Sequence, residues 1–143
     1  MSRPPRLLCV LVLAALPLSA CAEVEEESSA GYEPAKVAAV KGSDDVKRVT
    51  LTKEGAERVG LKTAPVRVGA QAKVVPYAAV LYDAEGKTYV YTSPKPLTYL
   101  REEVQVDHIA GDRVFLSRGP AVGTEVVTVG AAEVHGAELE ISE

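Results

Sequence analysis

From Arg48 onward the chain is a succession of short apolar stretches with two-residue alternation, each closed by Gly, Pro or Asp. No segment among them has the length and period of an amphipathic helix, so the pattern restricts the fold to short strands joined by tight turns. Val49 and Leu51 alternate with Arg48, Thr50 and Thr52 as a first strand. Thr52 then suits the N-cap of one short helix over Lys53 to Val59, with Glu54 and Glu57 near its start and Gly60 to end it. Leu61 to Val68 reads as extended chain interrupted at Pro65, and Lys73 to Tyr82 as a β-rich stretch with Pro76 at an edge or bend. The turn Asp83 to Lys87 leads into a returning strand, Thr88 to Thr92, which Ser93-Pro94-Lys95-Pro96 breaks. Leu97 to Arg101 and Val104 to Ile109 read as strands on either side of a solvated turn at Glu102-Glu103. Val114 to Ser117, Val126 to Val129 and a last short strand at Leu139 to Ile141 complete the pattern. The expectation is a mainly β domain, a small barrel or sandwich with one short helix, over residues 47–143.

The first twenty residues belong to a different class. Arg3 and Arg6 precede an apolar run from Leu7 to Leu18, followed by Ser19-Ala20-Cys21. A basic start, a short apolar stretch and small residues before a processing site make a secretory signal over residues 1–20. The run is too short to span a bilayer, which takes about 20 residues. Leu18-Ser19-Ala20-Cys21 resembles the bacterial lipobox. That resemblance implies that Cys21 is lipidated on its sulfur, becomes the new N-terminus and holds the protein on the extracytoplasmic side of a membrane. Stable anchoring takes more than one acyl chain.

Residues 21–46 read as the lipidated N-terminus and a disordered acidic tether. Glu23, Glu25, Glu26 and Glu27 are followed by Ser28, Ser29 and Gly31, then Pro34 and Gly42-Ser43-Asp44-Asp45. Such a composition does not repay the entropy of ordering. Within it Val37-Ala38-Ala39-Val40 has the makings of one local turn or strand. Removing residues 1–20 takes away two arginines and no acid, so the net charge moves from −4 to −6. An acidic chain without a basic cluster gains nothing from counterion release, which excludes nucleic acid as a partner class. Of the two cysteines, Cys9 leaves with the signal and Cys21 is the lipidation candidate, so the domain must hold itself together by burial rather than by a disulfide.

Three segments carry a second resemblance. The first is Val49-Thr50-Leu51-Thr52-Lys53-Glu54-Gly55-Ala56 with Val59-Gly60-Leu61-Lys62-Thr63-Ala64-Pro65-Val66. The second is Ala79-Val80-Leu81-Tyr82-Asp83 with Gly86-Lys87-Thr88-Tyr89-Val90-Tyr91 and Leu97-Thr98-Tyr99-Leu100-Arg101. The third is Gly111-Asp112-Arg113-Val114 with Val122 to Val134. In order and spacing they resemble the opening stretch and membrane-proximal β-domain of the periplasmic adaptor subunits of tripartite efflux pumps, the membrane fusion proteins. The resemblance implies a β-domain that faces a transporter. Only Val66 to Val75 separates the opening segment from the β-domain, so the adaptor's lipoyl-like halves and long helical hairpin have no counterpart there.

No constellation for catalysis, metal or cofactor emerges from the residues. His108 and His135 are the only histidines, and Asp107 beside His108 falls on the opposite face of a regular strand. Ser93 and Ser117 lack the Gly-x-Ser-x-Gly setting and a base, and Met1 is the only methionine. Tyr82, Tyr89, Tyr91 and Tyr99 fall on neighbouring strands; they suit cross-strand packing and equally a partner-binding patch, where tyrosine is enriched. The sequence therefore reads as a non-enzymatic membrane lipoprotein, an accessory or scaffold for a transporter permease, with membrane lipid engaged through Cys21. The alternative is a solute- or metal-binding lipoprotein.

Overall fold

The computed structural model describes residues 33–70 and 72–140. The signal segment, Cys21, the acidic run that follows it and Ile141 lie outside the described residues. The strands are β1 (Ala35–Val40), β2 (Ser43–Leu51), β3 (Lys62–Pro65), β4 (Arg67–Val68), β5 (Lys73–Pro76), β6 (Leu81–Tyr82), β7 (Thr88–Lys95), β8 (Thr98–Ala110), β9 (Arg113–Arg118) and β10 (Glu125–Val129). Among the described residues two α-helices accompany them, α1 (Lys53–Arg58) and α2 (Ala131–Glu140), with one 3-10 turn at Tyr77–Ala79. The sheet runs β3-β10-β7-β8-β9-β5-β4, with the β1–β2 hairpin joined to the start of β8 and β6 lying beside β7. Because β3 returns to touch β5, the path nearly closes into a barrel. The mainly β expectation holds.

Consecutive residues of one strand serve two different cores. Val90 and Val126 point into the barrel with Val66, Val75, Val104, Val114 and Leu116. Their neighbours Tyr91 and Val127 point the other way, into a second cluster with Val49, Leu51, Tyr99, Ala131 and Val134. Successive strand side chains alternate between faces, so a strand buried on both needs apolar residues without alternation. That is what Thr88-Tyr89-Val90-Tyr91 and Val126-Val127 supply. The second face is covered by α2 and by the β1–β2 hairpin, both of which contact it.

Several local expectations are corrected. Residues 35–46, read as the distal part of a disordered tether, form the β1–β2 hairpin, and Ala35 is buried. The hairpin is ordered because β1 pairs along its length with β2 and Val37 packs on the second core. Glu102 and Glu103 are not a turn: β8 runs unbroken through them, opposite Val90 and Tyr89 of β7. The prolyl break is likewise shorter than expected, since β7 continues to Lys95, which pairs with Thr98. The turn is Pro96-Leu97 alone, and Leu97 takes a φ of 59°. A non-glycine residue there costs about 1–2 kcal/mol. The Leu97 carbonyl accepts the Leu51 N–H at 2.9 Å, which ties this turn to β2. Leu139 and Glu140 belong to α2 rather than to a last strand.

The first helix agrees with its sequence signals. The Thr52 hydroxyl accepts the Gly55 N–H at 3.0 Å as N-cap, and Gly60 ends the turn at a φ of 63°. Gly55 has a further reason. A Cβ there would lie 2.7 Å from the Pro34 carbonyl oxygen, which itself accepts the Thr52 N–H at 2.9 Å. The start of β1, the cap and the helix thus meet at one corner with no room for a methyl group. Replacing a helix-interior glycine by alanine ordinarily gains up to about 1 kcal/mol. Here Gly55→Ala is expected to destabilise by about 1–3 kcal/mol, because backbone must move. Urea unfolding checks this; a stabilised variant would contradict the corner.

Candidate functional site

The four tyrosines singled out by sequence do not make one surface. Tyr89, Tyr91 and Tyr99 share the face that carries the second core, whereas Tyr82 lies on the opposite face of β6 and is about half exposed (53%). Tyr91 and Tyr99 are buried beneath α2 and the hairpin. Tyr89 is half-buried: its hydroxyl donates to Asp83 Oδ2 at 2.9 Å, and the Arg101 guanidinium sits 5.0 Å from its ring centre. That bond, desolvation and the neighbouring carboxylate charge raise the Tyr89 hydroxyl above its ordinary range. Partial desolvation works to raise Asp83, but bonds from Lys87 N–H, Tyr89 and Glu85 N–H outweigh it and hold the carboxyl low. Asp83 is therefore the organiser of its turn.

Beneath these residues lies a buried polar cluster that the sequence did not announce. Glu138 on α2 is 2% exposed. Its Oε2 accepts the Tyr91 hydroxyl at 2.5 Å and stands 3.4 Å from Arg101 Nε, and its Oε1 accepts the Lys47 N–H at 3.2 Å. Arg101 Nε is buried without a well-formed hydrogen bond, so the carboxylate charge is what compensates it. Arg101 Nη2 donates to the Asp45 carbonyl in the hairpin. His135, one turn earlier on α2, has Nδ1 at 2.9 Å from the Tyr91 hydroxyl. A phenol has one proton, and Tyr91 gives it to Glu138, so His135 must donate from Nδ1. Burial first, then the bond to Glu138 and its charge, push the Tyr91 hydroxyl far above its ordinary value of 10.0, with Arg101 opposing. Tyr99 is raised by burial alone. Tyr91 and Glu138 at the centre of the cluster are buried, whereas Arg101 and His135 are half-buried at its margin. It joins α2, β7, β8 and the hairpin, and its chemistry is that of a lock.

His108 and Asp107 are a second correction. They do pair, Nδ1 to Oδ2 at 2.8 Å, because β8 carries a bulge between Val106 and His108. The extra residue breaks the alternation and brings both side chains to one side. The His108 ring stacks on Phe115 with centres 4.2 Å apart. Both members of the pair are more than half exposed. Ser117 lines a shallow depression with Asp107, His108 and Phe115, and its hydroxyl donates to the Gln105 carbonyl at 3.3 Å. Ser93 donates to the Lys95 carbonyl at 3.1 Å. Among the described residues no three His, Cys, Asp or Glu groups are close enough to hold a metal ion. No helix among them is long and apolar enough to cross a membrane.

A mainly apolar groove lies where β3 meets β5. Its volume is about 260 Å³, and it has an apolar floor of Ala64, Pro65, Val74, Val75 and Pro76. Arg67, Arg113 and Asp112 stand at its rim. Nothing local in the chain signals it, because Arg67 and Arg113 are 46 positions apart and come to either side of β5 only through the β9-β5-β4 order.

Comparisons with protein-family models, with curated proteins and with solved structures return no match for this chain.

The polar lock has a measurable signature. Glu138→Ala leaves Arg101 and Tyr91 buried without their partner and is expected to cost about 3–5 kcal/mol. Glu138→Gln keeps an acceptor and is expected to cost less. Stability is expected to hold up to about pH 10 and fall above it, since a phenol raised in the folded state stabilises below its unfolded value and is lost as pH rises. Tyr91→Phe should flatten that alkaline fall. An unchanged alkaline slope in Tyr91→Phe would assign the effect elsewhere.

Proposed function

We propose that this chain is a lipid-anchored extracytoplasmic protein whose β-domain serves, without catalysis, as an accessory or scaffold for a transmembrane transporter. The observation that carries the reading is Leu18-Ser19-Ala20-Cys21, closing a short apolar run behind Arg3 and Arg6. Cys21 is the anchor. The strand order beginning at Ala35 leaves at most about 50 Å of chain between anchor and domain even when fully extended. The domain on this reading works within reach of the headgroups, at the height where a permease presents its extracytoplasmic loops.

The resemblance to efflux adaptors supplies the partner class, and the groove between β3 and β5 supplies a place for it. A permease loop bearing apolar side chains and a carboxylate suits the valine and proline floor with Arg67 and Arg113 at the rim. Asp112 takes a donor from the same loop. The partner is thus held by shape and charge, and no bond is made or broken.

Crosslinking and pull-down from membranes test this with three forms of the full chain: unsubstituted, Cys21→Ala, and Arg67→Glu with Arg113→Glu. The unsubstituted chain is expected to recover a transporter permease and Cys21→Ala to lose it. The double charge reversal should reduce recovery about tenfold. Recovery of no membrane protein by the anchored chain overturns the reading.

A further inference from the structure

We infer that two copies of this chain join edge to edge through β1, as antiparallel strands related by a two-fold axis at Val37. The inference rests on the hairpin alone and is independent of the transporter reading.

Among the described residues β1 pairs with β2 on one side and with no strand on the other. The direction of its hydrogen-bonding groups follows from the ladder. The Pro34 carbonyl accepts the Thr52 N–H, and Lys36 and Ala38 stand opposite Thr50 and Arg48. In an antiparallel pair the bonding groups alternate, so residues 34, 36 and 38 face β2 while Ala35, Val37 and Ala39 turn theirs outward. Pro34, which has no N–H, therefore falls where an outer neighbour does not need one.

The other edges are protected against pairing. β4 and β6 have two residues each, Arg67 being one of those in β4, and β3 opens on Lys62 and ends on Pro65. Short length, charge and proline are the usual safeguards. β1 has six residues, AKVAAV, with Lys36 as its one charge. Its inward face is an incomplete margin of the second core. Ala35 is buried, Val37 is half-buried against that core, and Ala39 is exposed. Lys47, opposite Ala39, gives its N–H to Glu138, so the last turn of α2 reaches this margin with Leu139 55% exposed.

The sequence of β1 selects a second copy as the occupant. A two-fold axis at Lys36 would set that lysine against itself. An axis at Ala38 would place Glu33 opposite Ser43. An axis at Val37 sets Val37 against Val37, Ala35 against Ala39 and Lys36 against Ala38, and at both ends it carries Glu33, two residues before β1, toward Lys41 in the turn that follows it. It also makes Val37, whose groups point outward, the central hydrogen-bonded pair. Small side chains along the seam and opposite charges at both ends make the edge complementary to itself, as a two-fold interface requires.

Disulfide trapping of the membrane-anchored full chain tests this, with the unsubstituted chain as blank. In a hydrogen-bonded pair the two Val37 Cα atoms are about 5.5 Å apart, within disulfide reach, whereas Lys36 is displaced from its own copy by two residues. Val37→Cys is expected to form a dimer at least about tenfold faster than Lys36→Cys. Adding Glu33→Lys to Val37→Cys should slow dimer formation about tenfold, and adding Lys41→Glu as well should restore it. Equal rates for the two cysteine positions overturn the inference, and so does a Glu33→Lys effect that Lys41→Glu fails to reverse. These substitutions sit at exposed or edge positions, so loss of dimer is not loss of fold.

Discussion

Glu138 is a carboxylate at a position where helix-on-sheet packing asks for an apolar side chain. Ala131 and Val134 are buried on the same face of α2, and Glu138 completes the row at 2% exposure. Taking such a charge out of water is costly unless every oxygen is used. The fold uses them: Tyr91 and Arg101 hold one oxygen and the Lys47 N–H the other. Those three partners come from β7, β8 and β2. One side chain therefore registers the helix against the sheet and the sheet against the hairpin, and slippage of any of them strands a buried charge.

The architecture around that contact explains how a valine-rich chain with one phenylalanine builds enough core. A barrel of this size has a narrow interior, filled by valines, one leucine and one alanine. The outer face of β7, β10 and the start of β8 is then used a second time, under α2 and the hairpin, with Tyr91 and Tyr99 as its largest members. A sheet buried on both faces makes more of each strand than a two-layer fold does. Extending the hairpin with a second copy through β1 and receiving a loop between β3 and β5 involve different edges of the same sheet, so the two proposed contacts do not compete.

The strands were legible because alternation and turn residues report directly on a half-buried sheet. The Thr52 cap and the Gly60 stop were legible for the same local reason. What stayed hidden depends on tertiary contact. Residues 35–46 of the hairpin look like tether, because Ala35-Lys36-Val37 is ordered only by lying on a core built from residues far along the chain. The helix α2 was missed because its buried face reads Ala131, Val134, Glu138, and a glutamate at the third position hides the helical period. The tyrosines were recognised as one group on neighbouring strands, but which face would be covered depended on that unseen helix. His108 and Asp107 pair through a bulge that no residue at that point signals.

The claim on which the account turns is that α2 closes the second core and holds the hairpin in place. Hydrogen exchange on a chain ending after Gly130 measures it most directly. The account predicts that amides of β1 and β2 lose their protection while those of β5, β8 and β9 around the barrel core keep theirs. Undiminished protection across residues 35–51 without the helix would contradict it.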